Sequence, residues 1–173
     1  ANFKGNIATE DGRILVNATI ELTGDRNEIL TTDENGNFLL EDIDIEGNYE
    51  LSISYESHIL NGLSAFDLQL ISRHILLDRP LDSPYKIIAA DVNNSGTITG
   101  MDMLALRKVL LEFDDTFPNN QIWRFVPANT EFVEQSSNSA FSLQFKNLKP
   151  GNQTLNIIAV KIGDVNVTSK VGD

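Results

Sequence analysis

The sequence predicts an α+β fold, in which an antiparallel β-sandwich carries a pair of EF-hand-type helices on its flank. Residues 1–55 alternate between apolar and polar side chains in short runs, which is typical of strands with one buried face. Residues 56–116 contain two apolar segments of helical length, and strand-like runs resume in residues 117–173. We therefore expect three parts along the chain: a sandwich, a helical region, and C-terminal strands that return to the sandwich and bury Trp123.

The turns between the N-terminal strands are rich in glycine, asparagine and aspartate. In one of them, Asn35 and Gly36 form a pair that is typical of a tight hairpin, because both residues tolerate positive φ. Asp33, Asn35 and Asn37 also have the alternate spacing of calcium ligands. We interpret this segment as a hairpin turn and leave a third ion there open.

The N-terminal segment has a recurring set of glycine-marked turns and short strand-like runs, at residues 5–7, Gly12, 16–20, 32–38 and 47–49. With these residues it resembles carboxypeptidase regulatory-like (transthyretin-like) modules, which are non-catalytic β-sandwiches. The resemblance implies an immunoglobulin- or transthyretin-like arrangement of strands in residues 1–55.

The composition excludes several classes of protein. The net charge of −12 disfavours nucleic acid and anionic membranes, because both attract basic surfaces. The chain has no cysteine, which excludes disulfides and thiolate chemistry. It also lacks a glycine-rich phosphate loop, a zinc motif and a nucleophile elbow, and its two histidines are His58 and His74. We therefore predict that the chain is not an enzyme.

The clearest motif is the 12-residue loop from Asp91 to Asp102. Oxygen-bearing side chains stand at positions 1, 3, 5, 9 and 12, with glycine at position 6 and an apolar residue at position 8. Calcium takes six to eight oxygen ligands, and this spacing supplies them from one loop. The predicted ligands of this first site are Asp91, Asn93, Ser95, the Thr97 carbonyl, Thr99 and Asp102. The alternative is a polar turn that only caps the following helix.

The run from Asp91 to Leu111 resembles a dockerin type I repeat, in which a calcium loop is followed by a helix rich in leucine and isoleucine. Dockerins carry two such repeats. Residues 63–77 resemble the second half of another repeat, with Ser64 at loop position 9 and Asp67 at position 12. The residues directly upstream would be a poor start for that loop, since positions 1, 3 and 5 would be Glu56, His58 and Leu60.

We predict that the missing half of this loop lies near the C-terminus. Asp164, Asn166 and Thr168 repeat the spacing of the residues that begin the first loop. Together with the carbonyl of Gly62 and the side chains of Ser64 and Asp67, they would form a second, split calcium site. Two calcium ions are therefore expected. The alternative is a polar C-terminal tail with a chance similarity.

The dockerin resemblance also implies positions that contact a partner, at the end of each loop and on the helix that follows. The candidates here are Phe66, Met101, Arg73, Arg107 and Lys108. Phe66 and Met101 are more apolar than the hydroxyl residues found in many dockerins. The alternative for these two side chains is inward packing against the predicted sandwich.

The order of these segments resembles a unit found in large secreted bacterial surface proteins. It implies a non-catalytic, calcium-stabilised extracellular module in cell-surface or filament assembly, with a protein partner or self-association. Two alternatives stay open: a dockerin-type module that binds a cohesin-like partner, and a carbohydrate-binding accessory module of a secreted glycan-degrading enzyme. We expect no nucleic-acid partner and no membrane insertion.

Overall fold

The computed structural model describes residues 1–128, 142–145 and 148–171, which form two compact units. Unit 1 contains Ala1–Glu56, Phe125–Ala159 and Val171–Asp173, and unit 2 contains Ser57–Arg124 and Val160–Lys170. Each unit is therefore assembled from segments that are far apart in the sequence.

The described residues contain both strands and helices, as the sequence predicts. The strands are β1 (Asn2–Thr9), β2 (Thr19–Gly24), β3 (Glu28–Thr31), β4 (Asn37–Leu40), β5 (Tyr49–Ser54), β6 (Trp123–Pro127), β7 (Ser142–Phe145) and β8 (Asn152–Lys161). The helices are α1 (Ala65–Ile75), α2 (Pro84–Ala90) and α3 (Gly100–Leu110). The sequence predicts a strand over residues 141–145, of which Phe141 lies outside the described residues.

The strands form two four-stranded sheets that face each other. The first sheet has the order β4-β1-β8-β6, and the second has the order β3-β2-β5-β7. The rings of Phe3 in β1 and Phe145 in β7 belong to different sheets, and their centroids lie 5.0 Å apart. This contact between the inner faces is consistent with the predicted β-sandwich.

The alternation seen in the sequence corresponds to alternate burial in the strands. Ile20 and Leu22 of β2 are buried, and so are Leu51 and Ile53 of β5, which lie opposite them in register. Side chains at every second position of a strand point to the same face, so these residues form one apolar layer. The apolar period in this segment was therefore a sound guide to its buried face.

One pairing corrects the prediction of an antiparallel sandwich. β1 runs parallel to β8, with Asn2 opposite Asn152 and Thr9 opposite Ala159. The pairs β1–β4, β2–β3, β2–β5 and β5–β7 are antiparallel, so the first sheet is mixed. Alternation reports which side chains are buried and carries no information on the direction of the neighbouring strand. Parallel neighbours require a long connection, and here most of the chain lies between the two strands.

The C-terminal strands belong to the same sheets as the N-terminal strands. β6 and β8 lie in the first sheet, and β7 lies at one edge of the second. Trp123, at the start of β6, is 4% exposed. The immunoglobulin- or transthyretin-like character of the sandwich stays a prediction.

The helices of unit 2 begin at clear capping residues. Ser83 caps α2, whose first residue is Pro84, a position where proline's missing N–H removes no helical hydrogen bond. α1 and α3 are each 11 residues long and begin with a capping box, formed by Ser64 with Asp67 and by Thr99 with Asp102. Both aspartates are fully buried. α1 and α3 therefore each have a buried carboxylate in the first turn.

Candidate metal centre

The loop from Asp91 to Asp102, called site 1 below, is held by its first aspartate. The carboxylate of Asp91 accepts hydrogen bonds from the backbone N–H of Ser95 at 2.9 Å and of Gly96 at 2.8 Å. Gly96 has φ +85°, a left-handed conformation that glycine adopts without strain. These bonds fold the first six residues of the loop around the carboxylate.

The second half of site 1 is anchored by Asp102. Its Oδ1 accepts from the N–H of Asn93 at 3.1 Å, and its Oδ2 accepts from the N–H of Thr99 at 2.8 Å. The hydroxyl of Ser95 donates to the Thr97 carbonyl at 3.0 Å. The six residues that we predicted as ligands therefore lie in one compact loop.

The structure also brings the two halves of the predicted split loop together, and this group is called site 2 below. The hydroxyl of Thr168 donates to the Gly62 carbonyl at 3.0 Å. The backbone N–H of Val165 donates to Oδ1 of Asp67 at 3.0 Å. Residues 62–67 and 164–169 are therefore in direct contact within unit 2.

Site 2 repeats the hydrogen bonds of site 1, although its two halves come from separate segments of the chain. At position 1, Asp164 accepts from the N–H of Thr168 at 3.0 Å and of Ser169 at 2.7 Å, as Asp91 accepts from the corresponding residues of site 1. At position 12, Oδ2 of Asp67 accepts from the N–H of Ser64 at 2.8 Å, as Oδ2 of Asp102 accepts from Thr99. The bond from the hydroxyl at position 5 to the carbonyl at position 7 is 3.0 Å in both sites.

The left-handed residues support the same correspondence. Asn94 has φ 53° and Val167 has φ 58°, at position 4 of the two loops. Leu77 and Glu112, which follow the C-caps of α1 and α3, have φ 59° and 58°. A β-branched residue such as valine adopts this conformation rarely, so its presence at Val167 indicates that the loop geometry imposes it.

Two features hold the two segments of site 2 side by side. The Asn61 amide donates to the Lys170 carbonyl at 2.8 Å and accepts from the Lys170 N–H at 2.8 Å. A Cβ on Gly62 would lie 2.6 Å from the Ser169 nitrogen and 2.8 Å from Oδ2 of Asp164. Only glycine therefore allows the two halves to approach this closely.

The arrangement of oxygens in site 2 fits a hard cation. The amide end of Asn166 that faces the site lies 2.8 Å from Oδ1 of Asp164 and 3.2 Å from Oδ1 of Asp67. With its nitrogen inward, the amide would donate to both carboxylates. With its oxygen inward, three oxygens would converge, which requires a cation between them. The same amide can therefore serve the site with or without an ion.

Burial and the neighbouring charge perturb one carboxylate of site 2. Asp67 is fully buried, and this burial, together with the charge of Asp164, raises the pKa of Asp67 to about 6 against the lowering effect of its backbone hydrogen bonds. A cation would relieve both effects, because it replaces lost solvation and neutralises the repulsion.

The donor chemistry of the two sites suits calcium better than a transition metal. Each site offers two carboxylates, together with amide, hydroxyl and carbonyl oxygens. Within residues 1–128, 142–145 and 148–171, no group of three or more histidine, cysteine, aspartate or glutamate side chains is placed to hold a metal. Neutral oxygens therefore make up most of each candidate ligand set, which is compatible with a calcium loop of modest affinity.

The residues that we predicted for partner binding lie on the helices of unit 2. Phe66 is 50% exposed and Met101 is 61% exposed, so neither packs inward as our alternative had it. Arg107 and Lys108 of α3 are exposed, whereas Arg73 of α1 is partly buried, and its Nε lies 3.9 Å from Oδ2 of Asp78. A groove between α1 and α3 is lined by Arg107 and by apolar residues, among them Ala65, Leu68, Gly100, Leu104 and Leu111.

Three residues near these sites did not follow from sequence reasoning. They are Asn61, which binds Lys170, Asn120, which donates to the carbonyls of Asp91 and Val92, and Lys161, which is buried beside site 2. We predicted no role for them, because each acts through a contact made by the fold. The apolar run around Lys161 was the only local signal, since a lysine within a buried strand end needs a specific partner.

Residues 63–111 match the family model of the Dockerin type I domain. Dockerin type I domains are non-catalytic docking modules that bind calcium and cohesin proteins, and they occur in secreted proteins. No curated protein and no solved structure matches the chain. In the part of the chain that the structure describes, no helix combines the length and apolar character needed to cross a membrane.

The matched segment contains all of site 1, but only Ser64 and Asp67 among the predicted ligands of site 2. Gly62 and residues 164–169 lie outside it. The resemblance of residues 1–55 to carboxypeptidase regulatory-like modules stays a prediction.

Proposed function

We propose that the chain is a calcium-stabilised, non-catalytic docking module of a secreted protein, and that it binds a cohesin-like partner through α1 and α3. The observation that carries this proposal is the pair of loops with corresponding hydrogen bonds, each ending at a buried aspartate in the first turn of a helix. Our first expectation was a structural or adhesive role. The dockerin match over both helices favours docking.

We further propose that each loop holds one calcium ion. The ligands of site 1 would be Asp91, Asn93, Ser95, the Thr97 carbonyl, Thr99 and Asp102. The ligands of site 2 would be Asp164, Asn166, Thr168, the Gly62 carbonyl, Ser64 and Asp67. Calcium would fix the start of α1 and α3, because the last ligand of each loop lies in the first turn of its helix.

The proposed contact surface is the exposed side of α1 and α3. Phe66 and Met101 occupy the same position in the two repeats and both are exposed, which gives the surface two equivalent apolar anchors. Arg107 and Lys108 supply basic groups beside the groove, on a chain whose net charge is −12. An apolar centre with charged groups at its rim is typical of a protein-binding surface.

The test is binding of purified cohesin domains to the whole chain, measured by isothermal titration calorimetry in calcium and in EDTA. We expect binding in calcium only. The double variant Phe66→Asp and Met101→Asp should lose at least about tenfold in affinity, since each substitution places an unpaired charge in an apolar interface. Ile29→Asp is the matched control, because Ile29 is an exposed apolar residue of β3 in unit 1.

A chain that binds two calcium ions, binds no cohesin and instead self-associates in analytical ultracentrifugation would favour the structural role over docking. Binding that is equal in the double variant and in the control would show that the helical face is not the contact surface. The comparisons give no support to glycan binding.

A further inference from the structure

Lys161 is a buried basic residue next to site 2. Only 3% of Lys161 is exposed to solvent. Its Nζ donates to the Ile59 carbonyl at 2.7 Å and to the Ile162 carbonyl at 3.2 Å, and it lies 5.5 Å from the centroid of the Phe117 ring. Burying an ammonium group is unfavourable unless opposite charge lies near it.

The opposite charge comes from the two carboxylates of site 2. Burial lowers the pKa of Lys161 to about 8, and the charges of Asp164 and Asp67 oppose this lowering. Asp164 is 4% exposed and Asp67 is fully buried, so little water screens the three charges from one another. Lys161 is also linked to site 2 through its backbone, because its carbonyl accepts from the N–H of Asp164 at 3.2 Å. Among the described residues, the ion pairs within 4.0 Å do not include Lys161, so its ammonium binds no carboxylate oxygen of the site directly.

Among the described residues, Lys161 is the only buried basic residue, so site 1 has no comparable cation there. Arg124 donates to Oδ1 of Asn94 at 2.6 Å, but Asn94 stands at position 4 of the loop, which supplies no ligand. Arg124 is also partly exposed, so solvent and salt screen its charge. The two sites therefore have similar ligands and different electrostatic surroundings.

We propose that Lys161 is an internal counter-ion for site 2, which keeps residues 164–169 in place without calcium and makes site 2 the weaker of the two sites. Without calcium, the ammonium offsets the repulsion between Asp67 and Asp164. With calcium, the ammonium and the ion repel each other. Site 1 then fills at a lower calcium concentration than site 2, and the module responds to calcium in two steps. This inference rests on the proposed calcium sites and is independent of the partner.

The test measures calcium affinity at each site separately, by ¹H–¹⁵N NMR titration at pH 7. The N–H of Gly96 reports on site 1 because it donates to Asp91, and the N–H of Ser169 reports on site 2 because it donates to Asp164. In the unsubstituted chain, the Gly96 signal should change at lower calcium than the Ser169 signal. Lys161→Met should tighten site 2 by about tenfold, since one buried positive charge near a divalent ion is removed.

The same variant should have a lower melting temperature in EDTA and a larger increase in melting temperature on addition of calcium. A purely structural role for Lys161 predicts a lower melting temperature in both conditions and no gain in affinity. Lys170→Met is the matched control, because it removes the same charge from an exposed residue that also borders site 2. It should leave both affinities nearly unchanged.

Lys161→Gln provides a second variant, which keeps a donor for the Ile59 carbonyl and tests the charge alone if the methionine variant does not fold. If the variant that folds binds two ions and its affinity at site 2 is unchanged or weaker, this inference is wrong. The proposed calcium sites would still stand. An unsubstituted chain that binds no calcium would instead overturn the proposed function.

Discussion

The hydroxyl of Thr168 donates to the carbonyl of Gly62 at 3.0 Å, although 106 residues separate the two along the chain. The corresponding bond in site 1 joins Ser95 and Thr97, which are two residues apart. The same local geometry is thus made once by a continuous loop and once by two distant segments. Closing a loop of this length has an entropic cost, which ion binding would offset.

Calcium should stabilise the chain strongly. An ion that binds only the folded state adds about 2.7 kcal/mol per site at 100 times its dissociation constant. We expect a clear increase in the melting temperature in calcium and a decrease in EDTA, measured by differential scanning calorimetry. The same melting temperature in both buffers, with metal removal verified by elemental analysis, would contradict the prediction.

Substitution of the two aspartates of site 2 should reveal one shared ion. Asp164→Ala and Asp67→Ala should each lose one calcium equivalent, and the double variant should lose little more. Asp91→Ala removes the position 1 ligand of site 1 and is the control. It should lose the calcium equivalent of site 1 and keep that of site 2. Calcium content is measured by elemental analysis after gel filtration. Two ions still bound to Asp164→Ala would exclude the split site.

Gly62→Ala and Gly96→Ala form a matched pair. Both glycines have positive φ, +80° and +85°, so alanine costs roughly 1–2 kcal/mol at either position. A Cβ on Gly62 also meets the backbone of Ser169, whereas a Cβ on Gly96 meets no atom within 4 Å.

We therefore expect Gly62→Ala to weaken calcium binding at site 2 and to lower the melting temperature more than Gly96→Ala does. The measurements are the two-site NMR titration and calorimetry. Equal decreases in melting temperature, with site 2 retained in Gly62→Ala, would mean that the two halves approach less closely than the structure shows.

The effect of calcium should depend on pH through Asp67. Burial raises the pKa of Asp67 from its ordinary value of 3.8 to about 6 in the folded chain without calcium. Its contribution to stability is therefore fully present below pH 3.8 and is lost as the pH rises through 6. Calcium competes with this proton, so calcium affinity at site 2 should increase over the same range.

We expect calcium to raise the melting temperature more at pH 7 than at pH 5. Asp67→Asn is the control, because it cannot ionise, and its calcium response should lose the part of the pH dependence centred near 6. A calcium response at site 2 that is constant from pH 5 to pH 7 would contradict this assignment.

The compact loop of site 1 could be predicted because all of its predicted ligands lie within one 12-residue stretch. The contact between the two halves of site 2 could be predicted only because the chain repeats the aspartate–valine–asparagine run of Asp91 at Asp164. That these loops bind calcium stays a prediction. The contacts of Asn61 and Lys161 had no such repeat. They depend on which segments the fold brings together, and neither residue type indicates that from its own position in the sequence.

In the sandwich, too, the sequence predicts local features better than contacts between distant segments. Burial in β2 and β5 followed from alternation, because the period of a strand fixes which side chains share a face. The parallel pairing of β1 with β8 did not follow, because the partner of a strand is set by the path of the whole chain. The local pattern therefore predicts the elements better than their arrangement.

The interrupted course of site 2 also sets an order of assembly during synthesis. A chain that emerges from its N-terminus completes site 1 once Asp102 has appeared, whereas site 2 waits until residues 164–169 have followed. For an exported protein that meets calcium outside the cell, α3 would acquire its ion early and α1 would acquire its ion last. Occupancy of site 2 would then mark a chain whose translocation has proceeded past residue 169.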